Sequence, residues 1–92
     1  MCGITESNFT KLRISRALVD LLCLPEGAVR MISLAWIGNY EIRMLEPPPT
    51  EAADGPLFVM ELFDHDAQSS VDNRVCYDIE EGAVMFDAFV SS

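Results

Sequence analysis

Two apolar runs between Ala28 and Leu45 meet at Gly38-Asn39, a pair suited to a two-residue hairpin loop in which the backbone turns through positive φ. The run before it predicts a first strand from about Val29 to Ile37. Both of its alternating sets are apolar: Ile32, Leu34 and Trp36 on one side, Met31, Ala35 and Ile37 with Ser33 on the other. The run after it, about Tyr40 to Leu45, sets Tyr40, Ile42 and Met44 against Glu41 and Arg43, which reads as one buried and one wet face. Leu57 to Phe63 predicts a third strand that is again apolar on both sides, with Glu61 its only polar residue. Arg74 to Tyr77 predicts a short fourth strand, in which Val75 and Tyr77 alternate with Arg74 and Cys76.

The two ends of the chain have helical periods. From Ser7 or Asn8 to about Cys23, the residues Ile14, Ala17, Leu18, Leu21 and Leu22 recur at spacings of three and four, with Arg13, Arg16 and Asp20 on the opposite face. Thr5 or Ser7 is placed to cap the start, and Pro25 and Gly27 end it. Asp78 to Glu81 has the form of a capping box, and Ile79, Ala83, Phe86 and Val90 follow at helical spacing with Gly82 and Phe89 beside them. This predicts a second helix over 79–90, with a strand from Ala83 to Val90 as the alternative because Gly82 weakens a helix.

The expected fold is therefore α+β, a two-layer α-β-β-β-β-α domain spanning residues 1–92. A four-stranded antiparallel sheet carries both terminal helices on one face. A meander in the order 1-2-3-4 is the simplest topology. The order 2-1-3-4 stays open, because doubly apolar strands favour central positions and the loop Glu46–Pro56, stiffened by Pro47, Pro48 and Pro49, is long enough to cross. In either order the sheet face without helices keeps apolar side chains, and monomers rarely leave such a patch open.

Composition narrows the function. Half of the 92 residues are hydrophobic, so the chain can bury a core, but no apolar run approaches the ~20 residues of a membrane span. No basic segment leading into an apolar one marks a secretory signal, so a cytoplasmic location is expected. The net charge of −9 is unevenly distributed: residues 1–45 sum to +1 and residues 46–92 to −10. An acidic half of this kind disfavours nucleic acid and membrane surfaces as partners. Cys2, Cys23 and Cys76 are too widely spaced for a zinc knuckle or a disulfide framework.

Candidate chemistry is sparse. Met1-Cys2-Gly3-Ile4 resembles the start of glutamine amidotransferases of the N-terminal-nucleophile type, but the likeness spans those four residues alone and carries no assignment. The densest polar stretch, Asp64 to Asn73, reads as a hairpin loop around the single histidine, His65. Its oxygen-bearing residues alternate as in a calcium loop, yet Ser69 and Val75 stand where the glycine and the closing glutamate belong. Asp64, His65, Asp66 and Asp72 are the candidate site, a place where a histidine between carboxylates could bind a ligand or metal or act as a general base. The reading preferred over this one is a non-enzymatic protein-interaction module, acting as a homodimer, with no cofactor.

Overall fold

The computed structural model describes residues 6–25, 27, 30–47 and 55–91. The Thr5 cap, Cys2, the start of the first strand at Val29 and the middle of the proline loop lie outside them, as does the side chain of Ser7. The elements are α1 (Glu6–Leu22), β1 (Met31–Ile37), β2 (Tyr40–Leu45), β3 (Phe58–Asp64), β4 (Ser69–Cys76) and α2 (Ile79–Ser91). The four strands form an antiparallel meander in the order β1-β2-β3-β4, and α2 is a helix throughout. Two alternatives therefore fall away: the crossover order 2-1-3-4, and a fifth strand after Ala83.

Ile14, Ala17 and Leu21 of α1 and Phe86 and Phe89 of α2 pack with Ile42, Met44, Phe58 and Met60 of the sheet. Leu22 and Val90, at the ends of the predicted apolar stripes, are exposed instead. The two helices and the sheet close at Gly82. A Cβ there would stand 2.5 Å from the tip of the Phe58 ring and 3.1 Å from Ile14. Gly82 is thus a contact point between α2 and β3, and its lack of a side chain outweighs its low helix propensity. Arg13 also departs from the solvated role its position suggests. Its guanidinium donates to the carbonyl of Leu34 and lies 5.3 Å from the centroid of Phe86, joining α1, β1 and α2.

Two irregularities set the sheet's faces. Ser33 pairs with Arg43 and Ala35 with Ile42, so Leu34 is an extra residue in β1. This bulge reverses the alternation after it. Ala35 and Ile37 then lie in register with the helix-side residues Ile42 and Tyr40, while Trp36 moves to the outer face opposite Glu41. A second bulge leaves Val71 unpaired, since Leu62 pairs with Asp72 and Phe63 with Ser70. β4 is also longer than its apolar core, taking in Ser69–Asn73, which the polar composition predicts to be loop. The β3–β4 turn is only residues 65–68, with Gln68 at φ 54° and the Asp64 carboxylate accepting from the amides of Asp66 (2.9 Å) and Ala67 (3.2 Å).

Gly82→Ala tests the closure directly. Helix propensity alone would stabilise α2 by about 1 kcal/mol. The collision with Phe58 and Ile14 should reverse that sign and lower unfolding stability by roughly 1–3 kcal/mol in urea titration. A variant as stable as the parent would show that the junction has room.

Candidate functional site

Antiparallel register sorts the outer, helix-free face into three rows that each cross all four strands. The first is Met31, Leu45, Val59 and Val75; the second is Ser33, Arg43, Glu61 and Asn73; the third is Trp36, Glu41, Phe63 and Ser70. An apolar row thus flanks a polar centre, and aromatic residues flank it on the other side.

His65 leaves the end of β3 and turns its ring onto this face. Its centroid lies 4.5 Å from that of Trp36 with the rings tilted 30°, and 4.9 Å from Phe63 in an edge-on contact. The backbone fixes its position: the His65 amide donates to the Asn39 carbonyl at 3.0 Å, and the Asn39 side chain donates to Asp66 Oδ2 at 2.6 Å. The turn at Gly38-Asn39, where only Gly38 has positive φ, is in this way tied to the β3–β4 turn.

Beneath the imidazole lies Glu41, 5% exposed although no helix covers it. Its Oε1 accepts from Arg43 Nε at 2.8 Å and from His65 Nε2 at 2.9 Å, and the Ser33 side chain also favours the ionised carboxylate. A carboxylate can only accept, so the bond requires the imidazole proton on Nε2. Arg43 Nη2, 3.5 Å from the same nitrogen, is then a neighbour and not a donor to it. The Arg43 guanidinium lies 4.0 Å above the Phe63 ring, and its Nη1 is 3.4 Å from Glu61 Oε1. Burial pushes the Glu41 carboxyl up, but the bonds from Ser33, Arg43 and His65 and the charge of Arg43 outweigh it and hold the carboxyl below its ordinary 4.5.

The four residues of the predicted site are placed differently from one another. Of the four, His65 alone enters the cluster. Asp64 shapes the turn, Asp66 anchors Asn39, and Asp72 sits in β4 on the helix side, 3.6 Å from Arg74. Among the described residues no three of His, Cys, Asp and Glu come together as metal ligands. His65 instead bonds Glu41, and Arg43 links Glu41 to Glu61; Glu41 and Arg43 are expected on a wet strand face, and Glu61 is the one polar residue of a strand expected to be apolar on both sides. Their alternation puts each on the right face; the strand register that joins them is not written in any local motif. Chemically the cluster is a carboxylate-oriented imidazole. Cys76 lies away from it, buried on the opposite face, and its thiol is pushed up to about 11 by burial, with Glu81 and Asp78 adding to the effect. No protein family, curated protein or solved structure matches the chain.

Glu41→Gln should destabilise the fold by about 2–3 kcal/mol at neutral pH, as expected for removing the charged acceptor of two bonds. The acid limb should also flatten. A carboxyl held below 4.5 when folded contributes stability above that pH, and the contribution fades as pH falls through the lower folded value. Urea titrations between neutral pH and about pH 3 check this. Identical slopes in parent and variant would mean that Glu41 is not held down.

Proposed function

We propose that this domain is a non-enzymatic protein-interaction module of the cytoplasm that works as a homodimer joined through the outer face of its sheet. The observation that carries the reading is the uncovered face itself. Both helices lie on the other side, while Met31, Leu45 and Val59 are half-buried and Trp36 and Val75 are 58% and 47% exposed. A two-fold axis parallel to the strands would lay each apolar row on its own copy, the arrangement of an isologous interface.

The charges at the centre favour this as well. Glu41, Arg43 and Glu61 have side chains only 6%, 17% and 16% exposed, so most of their desolvation is already incurred within one chain and their partners are in place. Of the net −9, these three rows hold only −1, contributed by Glu41 and Glu61 against Arg43. A second copy meets less repulsion here than on the acidic remainder of the surface. The absence, among the described residues, of a helix long and apolar enough to cross a membrane is compatible with this reading.

Light scattering over a wide concentration range should give twice the chain mass, and Trp36→Glu should return the chain mass. Val84→Glu, an equal charge change at an exposed site on α2, should leave the dimer intact. A parent that stays at the chain mass at every concentration, or a Trp36→Glu variant as dimeric as the parent, would overturn the proposal.

A further inference from the structure

β4 lies at the edge of the sheet, with β3 on one flank and, among the described residues, no strand on the other. An edge strand presents a row of backbone N–H and C=O groups without ladder partners. Here the edge is also bare of side-chain cover, since every residue from Ser69 to Val75 except Asp72 is exposed. Spanning eight residues, it is about 27 Å long at strand rise.

Alongside this edge, β4 and α2 enclose a groove of about 340 Å³. Its apolar surface comes from Val75 of the strand and from Val84 and Met85 of the helix, with the buried Cys76 behind them and Val84 60% exposed. Asp78, Glu80 and Glu81 also line it, against the single cation Arg74. Two of these carboxylates have local duties, Asp78 accepting from the Glu81 amide at 2.8 Å and Glu81 from that of Tyr77 at 2.6 Å. Capping leaves their charge in place. Their field reaches the groove wall, where both oppose ionisation of the Cys76 thiol. Glu80 points outward, its side chain 73% exposed and 3.7 Å from Lys11.

We propose that this groove binds an extended basic peptide by strand addition, its backbone pairing with the free edge of β4 and its side chains alternating between apolar and cationic. An apolar side chain packs against Val84 and Met85, and a lysine or arginine meets Glu80 and Glu81. Main-chain hydrogen bonds supply affinity in this mode, and the flanking pocket and charges supply selection. The edge does not favour a second copy of this chain, whose β4 offers one cation, Arg74, beside Asp72 and whose net charge is −9. The surface is separate from the Glu41 cluster and shares only Val75 with the apolar row of the outer face.

The test is a titration of isotopically labelled protein with a blocked peptide of alternating valine and lysine, matched to β4 in length. Shift changes should map to Ser69–Tyr77 and to the groove side of α2, and edge amides of β4 should exchange more slowly. Glu80→Lys and Val84→Lys, both at exposed positions, should each weaken binding about fivefold or more. Asp20→Lys, the same charge change as Glu80→Lys but on α1, should leave it unaltered, and a valine–glutamate peptide should not bind. Four results would each overturn the proposal: no shifts, shifts centred on Trp36 and His65, equal binding of the glutamate peptide, or an equal loss from Asp20→Lys, which would mean attraction to net charge alone.

Discussion

A four-stranded sheet has two faces, and this chain supplies helices for only one of them. The constraint begins at Gly82, where α2 comes so close to Phe58 that no side chain fits between, and α1 reaches the same point through Ile14. Both helices are thereby held on one side. The opposite face must be finished by the strands' own side chains. Long residues lie down across it: Arg43 over Phe63, and His65 against Trp36 and Phe63. That is how Glu41 comes to be 5% exposed on a face with no second layer above it.

A carboxylate in such a position must have partners, because an unpaired buried charge is among the most destabilising features a fold can carry. Glu41 has Ser33, Arg43 and His65, drawn from β1, β2 and the β3–β4 turn. The last of these explains the chemistry of the turn. Asp64 orders its backbone, Asp66 is bonded to Asn39, and the His65 amide is bonded to the Asn39 carbonyl, so two hairpin tips hold the imidazole above the sheet. Carboxylates that look like a ligand set in sequence are a positioning frame in space. The cluster's contribution is more to orientation than to net stability, since buried ion pairs roughly balance their own desolvation.

What sequence periodicity reveals here follows from how evenly each element is buried on its two sides. α2 and β2 have one buried side and one polar side, and their limits are legible almost to the residue. The bulge at Leu34 is silent, because both alternating sets of β1 are apolar and a reversal of faces leaves no mark on the pattern. β4 fails for the opposite reason. At an edge with both faces wet, Ser69–Asn73 shows no alternation and is indistinguishable from a loop in composition. Glu41, Arg43 and Glu61 were each visible as outward-facing residues, but register is a property of two strands and cannot be read from either one. Arg13 shows the same limit, since its acceptor, the Leu34 carbonyl, belongs to a bulge that the pattern conceals.

The uneven charge of the chain bears on which surfaces can meet which partners. Its acidic half builds β3, β4 and α2, yet on the outer face of β3 the only acid is Glu61, which Arg43 faces. The remaining described acids of that half lie at the turns, on the helix side of β4 or around α2. Under the two proposals, a like copy and a basic partner would be directed to different places by the same distribution. The edge of β4 reinforces the separation. Charged residues such as Asp72 and Arg74 guard an edge strand against indiscriminate self-pairing, but they do so through side chains and leave the backbone groups exposed. An edge protected in that way repels a strand of the wrong charge pattern while remaining open to one that complements it.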